Sequence, residues 1–193
     1  MASPKILAFA GSARTDSFNK KLIKIAVAGA REAGADVTLI DLRDFPMPLV
    51  DQDLEASSGL PENAQKLKAL FLEHHGLMIA APEYNSSITP LLKNSLDWVS
   101  RKSTPEERGL AAFADKAAVL MSASPGGFGG LRGLVHLRAM LGNIEVLVLP
   151  DQLAIAKAHE AFAPDGTLRD AGQQTAVANL GKKLTACLRK LRG

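Results

Sequence analysis

Residues 77–98 read LMIAAPEYNSSITPLLKNSLDW, and this stretch decides the fold. Residues 77–81 are continuously apolar, which is typical of a strand buried on both faces, and residues 90–99 have the apolar spacing of a helix. The polar loop 82–88 therefore follows the carboxyl end of a strand, where open α/β sheets bind their ligands. The only Tyr and the only Trp of the chain lie in this stretch. We expect the loop to contact a flat, hydrogen-bonding ring.

The same strand–loop–helix unit recurs along the chain. Apolar strands are predicted at 5–10, 36–41, 77–81, 116–121 and 145–149, and helices at 17–33, from 61, from 90, from 130 to 141, and at 171–191. Strands that alternate with helices indicate right-handed crossovers and a parallel sheet. We therefore predict one α/β domain over residues 1–193, a doubly wound five-stranded parallel sheet with helices on both faces. Residues 42–60 are predicted to form a long loop, and residues 101–115 a polar, exposed segment.

Composition excludes several classes of protein. The chain has 193 residues, 47% hydrophobic and 22% charged, and a net charge of +3, which are ordinary values for a globular domain. The single cysteine, Cys187, allows no internal disulfide and supports no thiolate metal site. No apolar run approaches the roughly 20 residues that span a bilayer, and no signal peptide precedes the first strand. We expect a cytoplasmic protein with no metal, no membrane partner and no nucleic-acid partner, and we interpret the basic residues of the last helix as a solvated face.

The first strand leads into a loop suited to a phosphate. Residues 11–19 read GSARTDSFN and open a helix, so backbone N–H groups and the positive end of the helix dipole point to one place. Ser12, Ser17 and Asn19 add neutral hydrogen-bond donors, and Arg14 adds a charged group that matches phosphate geometry. Helix capping alone would explain Ser17 but leaves Arg14 unexplained, because its charge opposes the dipole. We favour a monophosphate site.

Other phosphate sites fit less well. A dinucleotide fingerprint would need two further glycines, although Asp41 ends the second strand where that fold has a ribose-binding acid, so this possibility is reduced and not excluded. The chain has no Walker Gly-Lys-Ser/Thr, and Cys187 lies too far from this loop to act as a phosphatase nucleophile.

Three loops are expected to meet at the carboxyl edge of the sheet. In flavodoxin-like strand order, the loops 11–19, 82–88 and 122–130 surround the point where the order reverses. The four glycines of the last loop let its backbone approach a ligand closely. A phosphate with a flat heterocycle beyond it describes FMN.

Two motifs of the chain resemble those of a known family. The motif Gly-Ser-x-Arg-x-x-Ser-x-Asn after the first strand, with Pro-Glu-Tyr-Asn-x-Ser and Leu-Lys-Asn-x-x-Asp-Trp after the third, is similar to the NADPH-dependent FMN reductases, which include quinone, chromate and azo-compound reductases. The resemblance spans nearly the whole chain. It implies FMN as cofactor, NADPH or NADH as electron donor, a small-molecule acceptor, and a homodimer or homotetramer with the flavin near the subunit interface.

The resemblance also assigns residues. It implies that the FMN phosphate and the ring are held by three groups of residues: Gly11, Ser12, Arg14, Ser17, Phe18 and Asn19; Pro82, Glu83, Tyr84 and Asn85; and Ser122, Ser124 and Gly126. Arg132 corresponds to an arginine that takes part in assembly. The loop residues Met47, Pro48 and Leu49 are candidates to overhang the flavin.

In such an enzyme the cofactor carries the chemistry, so no catalytic side chain is predicted. His74, His75 and His136 are interpreted as structural, and Trp98 as helix packing. Two other functions stay open from the sequence. One is a flavodoxin-like electron carrier that binds FMN and docks a protein partner, although such carriers tend to be acidic. The other is a non-redox module that binds another nucleotide.

Overall fold

The protein folds around a five-stranded sheet in which all neighbouring strands run parallel. The structure is a computed structural model that describes residues 3–193. The strands are β1 (Lys5–Ala10), β2 (Asp36–Asp41), β3 (Gly76–Ala80), β6 (Ala117–Ala123) and β7 (Leu147–Ile155), with a separate hairpin of β4 (Glu83–Tyr84) and β5 (Ser87–Ile88). The spatial order of the strands is β2-β1-β3-β6-β7, so the sequence order reverses between β1 and β3.

Helices cover both faces of the sheet. The helices are α1 (Phe18–Glu32), α2 (Gln52–Ser58), α3 (Glu62–Glu73), α4 (Pro90–Ser100), α5 (Leu131–Asn143), α6 (Ala158–Ala161) and α7 (Ala171–Arg192). One face of the sheet packs on α1 and α7, and the other packs on α3, α4 and α5. The predicted doubly wound fold in flavodoxin-like strand order is therefore confirmed.

Two glycines let α1 and α7 touch backbone to backbone. A Cβ on Gly29 would lie 2.0 Å from the carbonyl oxygen of Ala178, and one on Gly181 would lie 2.1 Å from that of Ala26. No side chain fits at such distances, so glycine is required at both positions. This close approach holds α1, whose first residues begin at the carboxyl edge of β1, firmly against the sheet.

The prediction of a long loop over residues 42–60 is wrong. The segment contains a 3₁₀ turn at Leu42–Asp44 and the helix α2. The Asp51 side chain starts α2 by accepting the N–H of Asp53 at 2.8 Å, and Gly59 follows the helix with a positive φ of 72°. The sequence signal was weak because α2 has seven residues, none of them buried.

Two further predictions need correction. Residues 101–115 are not wholly exposed, since Phe113 is fully buried and its ring centroid lies 5.4 Å from that of Phe71. Strand β7 begins at Leu147 and continues through Pro150 to Ile155, well beyond the predicted 145–149. Proline is tolerated there because β7 is an edge strand whose pairing with β6 shifts register between Ala118 and Leu120. The predicted packing role of Trp98 is consistent with its complete burial.

Candidate functional site

The carboxyl ends of β1, β3 and β6 meet around a small cavity. It lies beside the point where the strand order reverses, and its volume is about 100 Å³. All three predicted loops contribute to its wall. The lining residues are Ser12, Arg14, Ser17, Phe18, Asn19, Pro82, Glu83, Tyr84, Ala123, Ser124 and Pro125. Of the predicted site residues, Gly11, Asn85, Ser122 and Gly126 do not line it.

The loop after β1 is fixed by hydrogen bonds to its neighbours. The N–H of Gly11 donates to the carbonyl of Ala80 at 2.9 Å, which extends the sheet by one residue. The hydroxyl of Thr89 donates to the Gly11 carbonyl at 2.6 Å and accepts the N–H of Leu92 at 3.2 Å, so it also caps α4. The Ser12 hydroxyl accepts the N–H of Arg14 at 3.3 Å. Thr89 was missed from the sequence, although a Thr-Pro pair at a helix start is a capping signal.

The start of α1 offers hydrogen-bond donors that could hold an anion. Ser17 is the N-cap residue, but its buried side chain accepts no capping hydrogen bond. The N–H groups of the first helical turn, from Phe18 onward, have no partner within the helix. The turn contains no acidic residue. Backbone N–H donors and the positive end of the helix dipole thus face the cavity, and no acidic side chain of the first turn neutralises them.

Two other residues of this turn build the frame of the site. The Asn19 amide donates to the carbonyl of Ala123 at 2.8 Å and accepts its N–H at 3.0 Å, which ties α1 to the end of β6. The ring of Phe18 stacks on Phe162 with centroids 5.7 Å apart. The backbone N–H of Phe18, rather than its ring, is therefore the group available to a ligand.

The loop after β3 is a tight hairpin. Asn85 and Ser86 have positive φ angles of 49° and 68°, which is the geometry of a two-residue type I′ turn. The turn carries Tyr84 at the cavity rim, where it is 53% exposed. A rigid, exposed aromatic side chain at this place can flank a planar ring.

Glu83 joins this hairpin to α5. Its carboxylate accepts hydrogen bonds from Arg132 Nε at 2.8 Å and from the N–H of Gly133 at 3.1 Å. Burial of the carboxyl would raise its pKa, but the bonds from Arg132 and Gly133 outweigh burial and hold the pKa of Glu83 below its usual value. Arg132, assigned to assembly by resemblance, makes this contact within one chain. Its partner lies 49 positions away, a pairing that sequence spacing does not reveal.

Glu83→Gln is expected to lower the free energy of unfolding at neutral pH by about 1 kcal/mol, because the variant loses an ion pair whose arginine is half exposed. The folded-state pKa is depressed, so the contribution is complete above the unfolded pKa and disappears as pH falls through the folded value. Urea unfolding should therefore show the two proteins converging below about pH 4. Glu106→Gln, at an exposed position, is the control. A difference that stays constant through acid pH would contradict the ion-pair account.

The loop after β6 contributes Ser124 and Pro125 to the cavity. Ser122 points elsewhere, since its side chain is fully buried and its hydroxyl has no hydrogen-bond partner among residues 3–193. A Cβ at Gly130 would lie 2.0 Å from that hydroxyl oxygen, so glycine is needed where α5 begins. Phe128, which sequence reasoning did not single out, is 66% exposed. The Cζ atom of Arg132 lies over its ring, 5.3 Å from the ring centroid.

Residues 3–193 contain neither a candidate metal site nor a helix that could span a membrane. No group of three His, Cys, Asp or Glu side chains there is placed to hold a metal ion, and no helix in the same range is long and apolar enough to cross a bilayer.

His74 is buried, with its ring nitrogens 2.6 Å from the Leu70 carbonyl and 2.8 Å from the Thr38 hydroxyl. These contacts give His74 a structural role.

The geometry defines a class of protein. A parallel sheet in this order is the flavodoxin-like fold, in which ligands bind at the switch point, here beside the first N–H groups of α1 and an exposed aromatic residue. The residues fit FMN, because the N–H groups at the start of α1 match a phosphate and the exposed Tyr84 can flank a planar ring.

Comparison with known proteins gives the family. Residues 4–160 match the NADPH-dependent FMN reductase family. The chain is 32% identical to an NAD(P)H-dependent FMN reductase of Pseudomonas aeruginosa over 190 residues, covering 98% of this chain and 97% of that one. It is 30% identical to an NAD(P)H:quinone oxidoreductase of Solanum tuberosum over 194 residues, covering 98% and 95%. The solved structure of FerB, a flavoenzyme NAD(P)H:(acceptor) oxidoreductase from Paracoccus denitrificans, superposes with a TM-score of 0.80 at 25% identity, covering 97% and 98%.

The chain belongs to the NADPH-dependent FMN reductase family. It is an oxidoreductase with FMN as cofactor and NAD(P)H as electron donor.

Proposed function

We propose that the protein reduces quinones and other small acceptors in a ping-pong reaction, using FMN held at the carboxyl edge of the sheet. One observation carries the proposal: Ser17, whose hydroxyl makes no capping hydrogen bond, and the first residues of α1 line the same cavity as the exposed Tyr84. The quinone class is supported by relatives named as quinone reductases, among them one from Escherichia coli K12 that is 32% identical over 149 residues.

The proposed roles follow from these positions. The hydroxyls of Ser12 and Ser17 and the first N–H groups of α1 bind the phosphate, and the exposed Arg14 offsets its charge. Pro82, Tyr84 and Ser124 flank the ring. Asn19 and Glu83 position the site: Asn19 ties α1 to the end of β6, and Glu83 ties the hairpin to α5. When FMN is bound it supplies the two-electron chemistry, so the chain's tasks are to orient, to balance charge and to leave one side of the ring open.

We also propose a homodimer or homotetramer and a cytoplasmic location. The oligomer is supported by the exposed apolar side chains Leu131 and Val135 on α5, beside a cavity of about 430 Å³ whose wall includes Ile88 and Met140. Analytical ultracentrifugation tests the oligomer, and cell fractionation tests the location.

Steady-state kinetics test the proposed reaction. With NADPH and a benzoquinone varied together, a ping-pong enzyme gives parallel lines in double-reciprocal plots, and we expect turnover with no added protein partner. Intersecting lines would contradict the ping-pong step. Turnover that appears only when a partner protein is supplied would contradict the enzyme and favour the electron carrier. The same assay with protein stripped of flavin is the control.

A further inference from the structure

A second cavity lies on the other side of the phosphate loop. It has a volume of about 410 Å³ and opens between α1 and the carboxyl end of β2. We propose that this space, called here the β2 cleft, binds the adenosine half of the pyridine nucleotide donor. The inference rests on the proposed function, because it concerns how the reductase holds its electron donor.

The floor of the β2 cleft is apolar. Ala10 ends β1, Ile23 comes from α1, and Leu39 comes from β2, all on the α1 side of the sheet. Ile23 is buried, whereas Leu39 is 37% exposed even though it lies in a strand of the main sheet. Strand β2 is an edge strand that pairs only with β1, so no further strand covers this floor. An apolar floor beneath polar walls is typical of a pocket for a flat base.

Asp41 supplies an acceptor for sugar hydroxyls at the end of β2. Its carboxylate lies 2.5 Å from Lys20 Nζ and accepts the N–H of Arg43 at 3.0 Å. A carboxylate has about four acceptor positions, so about two remain for the hydroxyls of a ribose. Burial would raise the pKa of Asp41, but Lys20 and the Arg43 N–H hold it below its usual value, so the group is ionised at neutral pH. An acid at the end of this strand is the ribose ligand in dinucleotide-binding sheets.

Positive groups connect the β2 cleft with the phosphate loop. Arg43 donates to the Thr15 hydroxyl at 2.7 Å, and Thr15 lines the cleft while belonging to the loop that ends at Ser17. Exposed Lys24 and Asp44 also line the cleft, so its wall carries two lysines and two aspartates. The ring site near β3 and β6 is two to three strands away, roughly 10–15 Å at the usual strand spacing. A dinucleotide in an extended conformation spans such a distance, with its pyrophosphate near Arg43, since Arg14 is taken up by the FMN phosphate.

The alternative is that the Lys20–Asp41 ion pair only closes the end of β2. That explanation accounts for the two charges. It leaves the volume of the cleft unexplained, and it predicts no binding of adenosine compounds.

Equilibrium binding tests the proposal without turnover. ADP and adenosine 2′,5′-bisphosphate are titrated calorimetrically into the FMN-loaded protein. ADP is expected to bind, and Leu39→Glu is expected to weaken ADP binding at least tenfold while the bound FMN content stays unchanged. Asp41→Asn removes the charge that repels a 2′-phosphate, and it should shift binding toward adenosine 2′,5′-bisphosphate relative to ADP by about tenfold. Asp36→Asn, at the opposite end of β2, should change neither value.

The outcomes separate this proposal from the proposed function. If ADP does not bind, if Leu39→Glu leaves ADP binding intact, or if Asp41→Asn leaves the ratio unchanged, the adenosine site is wrong whatever the protein reduces. ADP should also inhibit turnover competitively against NADH, and noncompetitive inhibition would contradict the assignment to the donor. The protein could instead bind ADP in this way while NAD(P)H fails to reduce its bound flavin. That result would contradict the proposed function but would support the adenosine-binding site.

Discussion

Ser17→Asp is expected to yield a folded protein that purifies without FMN. Ser17 is buried at the N-cap of α1, where the proposed phosphate binds. A second negative charge about 4 Å from a phosphate charge costs about 4 kcal/mol at the effective dielectric of a partly buried site. This corresponds to roughly a thousandfold loss of FMN affinity. The measurement is fluorescence titration of the flavin-free variant with FMN.

The same substitution should not harm the fold, because aspartate is a good N-cap and its charge favours the positive end of the helix. Ser17→Asn is the matched control, since it keeps a capping side chain without the charge, and its FMN affinity should stay within about tenfold of the original. If Ser17→Asp retains FMN with unchanged affinity, the phosphate does not lie at the start of α1.

Gly29→Ala is expected to destabilise the protein by about 3 kcal/mol, the upper part of the range for overpacked cores. The new Cβ would lie 2.0 Å from the Ala178 carbonyl oxygen, which belongs to backbone and cannot rotate away. Either α1 or α7 must shift. Urea unfolding followed by circular dichroism measures the loss.

Gly142→Ala provides the comparison within α5. No atom lies within 4 Å of the position where its Cβ would stand, and alanine favours a helix over glycine by about 1 kcal/mol. This variant should therefore be as stable as the original or slightly more stable. Equal effects of the two substitutions would contradict the close backbone contact between α1 and α7.

Much of the fold could be predicted from the sequence because its strands are buried on both faces. Ile6, Met78 and Val119 are fully buried, and such strands appear as unbroken apolar runs. Because these apolar strands alternate with helices along the chain, only a few sheet topologies are compatible with the sequence. The prediction failed where long-range contacts override local composition. Phe113 is buried by its packing on Phe71, despite a charged segment before it.

The candidate site was predicted in outline for a similar reason. Ligands of a parallel sheet lie at the carboxyl ends of its strands, so the three loops were expected to meet. Which side chains face the cavity depends on contacts that spacing does not encode. Asn19 bonds to Ala123, 104 residues away, and Glu83 bonds to Gly133, 50 residues away. Ser122, by contrast, faces Gly130 rather than the cavity.

The visible spectrum of the purified protein tests the central claim most directly. NADPH is added anaerobically, and a benzoquinone is admitted afterwards. The account predicts a yellow protein whose flavin band is bleached by NADPH and restored by the quinone. A yellow protein that NADPH cannot bleach, or a colourless protein that does not bind added FMN, would contradict it.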